Sequence, residues 1–161
     1  MAHPGLLEAL RTSRLGQGLD ASQLAALAPQ LAFRELRDGD VLVAEGTSDN
    51  HLYLLVRGLL AVVRNAGRPD AVKLFTLSAG DLVGELSFLD ATPHYASLVA
   101  EGPGLAIGLE RERLEALLDT DPRLVYHVMR TIVRTTHEIQ RRLSMQSVEL
   151  TNYIYKQHGR Y

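Results

Sequence analysis

The sequence predicts a mainly β domain, a compact sandwich or barrel, carried between helical segments in an α+β arrangement. Three observations predict it. Between residues 32 and 110, short apolar or alternating runs are separated by Gly, Asp and Asn at intervals of about 8–12 residues. Before that stretch, Leu24, Leu27 and Leu31 recur at helical spacing. After it, three-and-four spacing returns and persists almost to the end of the chain.

At the N-terminal end, residues 1–31 form a helical segment, with helices expected over 5–15 and 20–30 and Asp20 as N-cap of the second. The β segment, 32–110, contains LAFREL, DVLVAEG, HLYLLVRG, LLAVVRN, AVKLFTL, DLVGE, ASLVAEG and GLAIGLE. Their enrichment in β-branched residues and their turn punctuation favour strands, while a mixed fold with several of these runs helical stays open. The last segment, 111–161, starts with a short helix in RERLEALLD. Asp121-Pro122 then opens a long helix over 122–157, with Asp as N-cap and Pro at the first helical position.

Met129, Ile132, Thr136, Ile139, Leu143, Gln146, Leu150 and Tyr153 alternate three and four apart along this helix, which is a heptad seam. The polar Thr136 and Gln146 suit a register-setting, two-stranded interface. A helix of about 35 residues is roughly 50 Å long, more than a small β domain covers. The distal half is therefore expected to meet a second copy and make a homodimer; the alternative is packing on its own domain alone. Arg130, Arg134, His137 and Arg141 lie one residue off the seam as a basic stripe, either a solvated face or one paired with the acidic body, or else a surface for nucleic acid or an acidic partner.

Composition narrows the function classes. The 161 residues are 46% hydrophobic and 22% charged, ordinary for a globular protein. The absence of cysteine excludes disulfides and thiolate chemistry. No run approaches the roughly 20 apolar residues of a membrane span, and the N-terminal sequence lacks a signal-peptide pattern, so a cytoplasmic protein with no membrane association is expected. Residues 123–160 hold seven basic and two acidic residues, a net of +5, against −7 for the remainder. His51 and His94 are the histidines of the β segment, with no His-x-His spacing, and no nucleophile–base pattern is evident. These features argue against a metalloenzyme and for a non-enzyme with no cofactor or metal.

Two stretches carry a family resemblance. DGDVLVAEGTSDNHLYLLVRGLLAVV, 38–63, and GELSFLDATPHYASLVA, 84–100, resemble the first hairpins and the phosphate-binding cassette of cyclic nucleotide-binding domains, the sensor fold of the catabolite activator-like regulators. The resemblance runs from about residue 20 to 145 and implies an eight-stranded jelly-roll β-barrel with N-terminal helices and a long C-terminal dimerisation helix. It implies a cassette at 83–97 with ligand-binding Val83, Gly84, Glu85, Leu86, Ser87, His94, Tyr95, Ala96 and Ser97, and cyclic AMP or cyclic GMP as candidate ligand. By that resemblance Glu85 accepts from the ribose 2′-hydroxyl, the turn at Leu86 and Ser87 presents backbone N–H groups to an anion, and Ala96 N–H and the Ser97 hydroxyl close on the phosphate. Thr135, Thr136 and Gln140 are candidates for contacts with the purine.

One departure stands out. The family has an arginine after the cassette proline, where this chain has His94 after Thr92-Pro93. No Lys or Arg lies between Lys73 and Arg111. With no helix-turn-helix, kinase or channel segment before Tyr161, the sequence predicts a stand-alone, dimeric regulatory domain with an atypical cassette, a regulatory protein partner and no direct DNA binding. The alternative is a ligand-free dimerisation and docking module of the same fold.

Overall fold

The structure, a computed structural model, describes residues 5–158, with side chains through 149. The first helices are short: α1 spans Leu6–Thr12 and α2 Ala21–Leu27, followed by a 3-10 turn over Ala28–Gln30. Asp20 caps α2 as expected. Its carboxylate accepts from Gln23 N at 2.8 Å while the Gln23 side chain accepts from Asp20 N, a reciprocal capping box.

All eight apolar runs become strands: β1 Leu31–Leu36, β2 Val41–Val43, β3 His51–Arg57, β4 Leu60–Arg64, β5 Val72–Leu77, β6 Leu82–Val83, β7 Ser97–Ala100 and β8 Gly104–Glu110. They pair in two four-stranded antiparallel sheets, ordered β1-β8-β3-β6 and β2-β7-β4-β5. Helix α3, Glu85–Asp90, interrupts the chain between β6 and β7; α4, Arg111–Glu115, and α5, Pro122–His158, follow β8.

The apolar residues separate into two cores. Leu55, Val62, Leu77, Val83, Leu98 and Ala106 face one another between the sheets. Leu52, Leu54, Ile107 and Leu109 point the other way, where α1, α2, α3 and the start of α5 cover them with Leu10, Leu27, Phe88, Leu124 and Val128. This is why HLYLLVR is apolar without interruption. Side chains alternate along a strand, and a strand buried on both faces needs apolar residues at successive positions. On the inner face β8 offers only Gly104, Ala106 and Gly108; a Cβ on Gly108 would sit 3.3 Å from the Tyr53 ring, so glycine there makes room for the phenol.

Asp121 and Pro122 start α5 as predicted, with Asp121 Oδ1 accepting from Leu124 N at 3.0 Å. The helix has two parts. Leu124, Val125, Val128 and Ile132 are buried against the domain, whereas residues 140–149 are exposed throughout. Two ion pairs fasten the middle: Arg14, after α1, with Glu138, and Arg142 with the buried Asp81 at 3.4 Å.

The predicted seam divides on this arrangement. Ile132 is 2% exposed and belongs to the core of its own domain, so it offers no surface to a partner. Met129 is half-buried against the same core, and Ile139 also turns inward. Thr136, Leu143 and Gln146 are exposed. Leu150 and Tyr153 lie outside the residues whose side chains are described. Val133, outside the predicted seam, is 63% exposed, and Tyr126 points outward as well. The apolar stripe left open on α5 is therefore shifted one residue from the predicted one at Ile132, because the inward positions serve the domain first.

Candidate functional site

The cassette starts where β6 ends. Gly84 adopts φ +85, the left-handed region, and a Cβ there would lie 2.8 Å from the His51 carbonyl oxygen. Both constraints demand glycine. The turn carries Glu85 into the first position of α3, where it lines a small cleft that opens to solvent.

The cleft has mostly apolar walls. Val62 of β4, Phe75 and Leu77 of β5, Leu82 and Val83 of β6, and Leu98 of β7 form the sides; Gly84, Glu85, His94, Tyr95 and Ala96 form the cassette edge. Ile139 of α5 completes the wall. A residue expected in a dimer seam thus lines a cleft of its own chain.

The polar residues of the cassette take two directions. Ser87 is buried at 1% exposure, and its hydroxyl both accepts from Asp49 N at 2.8 Å and donates to the Asp49 carbonyl. The Ser97 hydroxyl accepts from Glu45 N at 2.9 Å. His94 exchanges backbone hydrogen bonds with the same loop: its N–H donates to the Thr47 carbonyl and its carbonyl accepts from Gly46 N, each at 2.8 Å. Its ring Nε2 lies 3.2 Å from Asp49 Oδ1, while the Tyr53 hydroxyl donates to Asp49 Oδ2 at 3.2 Å. Burial, with the Asp49 carboxylate alongside, pushes the Tyr53 phenol up to about 12. Glu85, by contrast, makes no hydrogen bond with its carboxylate among the described residues. Burial and the Glu85 charge both raise the Tyr95 phenol.

Of the predicted ligand residues, Val83, Gly84, Glu85, His94, Tyr95 and Ala96 line this cleft. Leu86 and Ser87 border a smaller hollow on the outer side of the same cassette, with Thr92 and Pro93. Ser97 borders neither. Thr135, Thr136 and Gln140 do not reach the cleft: Thr135 is buried, the Thr136 hydroxyl donates to the Ile132 carbonyl, and Gln140 is exposed. Sequence reasoning missed Asp49 and Tyr53. Asp49 is 45 positions from His94, and nothing local in TSDNHLY marks it as a partner.

On α5, Arg14 and, more weakly, Arg134 and Arg141 hold Glu138 below the usual carboxylate range. Part of the predicted basic stripe therefore flanks an acid of the same helix. Among the described residues, no group of three His, Cys, Asp or Glu could hold a metal ion, and no helix is long and apolar enough to cross a membrane.

Known proteins share this architecture. A structure of a cyclic nucleotide-binding domain from Methylobacillus flagellatus superposes with a TM-score of 0.73 over 85% of this chain and 77% of that one, at 23% identity, which shows the fold. The regulatory subunit of a cAMP-independent protein kinase A from Trypanosoma brucei gives a TM-score of 0.65 at 25% identity, covering 85% of this chain and 50% of that subunit. The CRP-like cAMP-activated global transcriptional regulator of Mycobacterium tuberculosis is 27% identical over 127 residues, which covers 79% of this chain and 57% of the regulator. The chain thus spans little more than half the length of that curated relative. The sequence profile of the cyclic nucleotide-binding domain matches residues 33–121, more than half of the chain, which belongs to that family.

Proposed function

We propose that this chain is a dimeric regulatory domain that reports the occupancy of its cassette cleft through helix α5. One observation carries the reading: Ile139 of α5 lines the same cleft as Gly84, Glu85 and His94. A ligand filling that space touches the helix directly, and a ligand shifts an equilibrium only as far as its contacts differ between the two states. The Arg142–Asp81 ion pair attaches the next turn of α5 to the residues just before the cassette, so helix and cassette move as neighbours.

In this reading a second copy meets α5 along Met129, Val133, Thr136, Gln140 and Leu143, a three-and-four stripe that continues the exposed Tyr126. Two of the relatives named above are described as a regulatory subunit and a transcriptional regulator, and regulation rather than catalysis is the role assigned here. The exposed Arg130, Arg134 and Arg141 then offer a basic face to an acidic protein partner. A second reading, a docking module that has lost its ligand, draws support from His94, whose ring nitrogen is already engaged by Asp49. The Trypanosoma brucei relative, described as cAMP-independent, is a precedent for the fold without that response.

Calorimetric titration of cyclic AMP, with the mass followed by sedimentation, separates the two. The expected result is weak saturable binding that Glu85→Ala removes and His94→Arg tightens at least tenfold, since a hydrogen bond to a charged group is worth about 1.5–3 kcal/mol. Val133→Glu should yield a monomer. Failure of the folded His94→Arg protein to bind would leave the docking module.

A further inference from the structure

The cleft lacks what an anionic ligand needs. Among the described residues, no lysine or arginine lines it. Arginines on adjoining elements are engaged elsewhere: Arg64 with Glu45 at 3.1 Å, and Arg142 with Asp81 at 3.4 Å. His94 holds the position from which the family's cation would act, and its Nε2 faces Asp49 at 3.2 Å. That carboxylate also accepts from Tyr53, so the His94 ring is held by a hydrogen-bonded group within the protein.

The cleft does contain a negative charge. The Glu85 carboxylate stands at its edge without a hydrogen bond among the described residues, and Tyr95 beside it is pushed up in part by that charge. A carboxylate at the edge of a partly enclosed, mostly apolar cleft repels a second anion and has acceptor capacity to spare for donors. The side walls formed by Val62, Phe75, Leu77, Leu98 and Ile139 offer apolar contact. Buried polar groups and charges are costly when unmatched, so such a site discriminates by what it leaves unpaired.

We infer that the cleft selects an uncharged ligand, one with an apolar body for these walls and hydroxyl donors for Glu85, over a ligand carrying a cyclic phosphate. The inference rests on the reading of this cleft as the ligand site. It reverses the usual order of importance within the cassette: the carboxylate, not the group at position 94, becomes the polar anchor.

Adenosine and cyclic AMP are the probes, because they share base and ribose 2′-hydroxyl and differ in the cyclic phosphate. Each is titrated calorimetrically into the full chain, into Glu85→Gln and into His94→Arg, after circular dichroism establishes that both variants fold. The expected result is adenosine binding at least tenfold tighter than cyclic AMP to the unsubstituted chain. Glu85→Gln, which keeps the shape but removes the charge, should weaken adenosine and narrow the gap between the probes. His94→Arg should tighten cyclic AMP alone. Equal or tighter binding of cyclic AMP by the unsubstituted chain overturns the inference and leaves the cleft as a ligand site. So does an unsubstituted chain that binds neither probe while His94→Arg binds cyclic AMP. Absence of saturable binding in all three proteins overturns both the inference and the ligand-site reading beneath it.

Discussion

The face of the cassette turned toward residues 44–50 and the face turned toward the cleft use their polar groups differently. On the first, Ser87, Ser97 and His94 are each bonded to the loop before β3, through Asp49, Glu45, Gly46 and Thr47. On the second, the Glu85 carboxylate makes no such bond among the described residues, and Tyr95 is 57% exposed. The difference teaches that polar residues in one short motif can have separate duties. Those facing the loop hold the cassette in shape, because buried polar groups must be matched within the protein. Those facing the cleft are left with capacity for something that comes from outside.

The largest effect is expected where both faces depend on one residue. Gly84→Ala must adopt a positive φ and place its Cβ against the His51 carbonyl. It should lose about 2–4 kcal/mol in chemical denaturation, with ligand binding lost in parallel. A variant of unchanged stability would mean that the turn relaxes easily and that the two faces are not built on it.

Ser87→Ala tests the loop-facing side by itself. It leaves the Asp49 N–H and carbonyl without their partner and should cost about 1–3 kcal/mol. The comparison requires that the same truncation on the cleft side, Glu85→Ala, leave stability close to unchanged. Equal losses at Ser87 and Glu85, measured by the same denaturation curves, would erase the distinction.

The smallest effect is in alkaline solution. The Tyr53 phenol is raised to about 12 in the folded chain, so the native state binds this proton more tightly than the unfolded chain does. Stability from this group is complete below pH 10, the ordinary phenol value, and is lost as pH rises toward 12. Following phenolate absorbance and unfolding together should show this loss, and Tyr53→Phe should remove it. A Tyr53 that ionises with the exposed phenols would place it outside the bonded network.

Features set by near neighbours were legible in the sequence. The Asp20 capping box depends on residues three apart, and the Asp121-Pro122 start of α5 depends on the first helical turn. The eight strands were legible because each needs only a short apolar run and a turn. The position of Gly84 followed from the family pattern, and its backbone supplies the physical reason. The environment of His94 was not legible, because its partner lies across the fold and TSDN reads as an ordinary turn. The predicted seam divides between core and surface for a different reason. Spacing of three and four specifies an apolar helical stripe but not which neighbour covers it, and Ile132 and Ile139 were already claimed by the chain's own domain.

Helix α5 has one further consequence as a mechanical object. It spans Pro122–His158, and Ile139 sits near its midpoint. The 19 residues from Ile139 to His158 extend about 28 Å. Pivoting there, a tilt of one degree sweeps the far end through about 0.5 Å, by the geometry of a rigid rod of that length. On that geometry a tilt of about six degrees would carry the far end through about 3 Å, and the stiffness of an unbroken helix, rather than any chemistry at its tip, would set the gain.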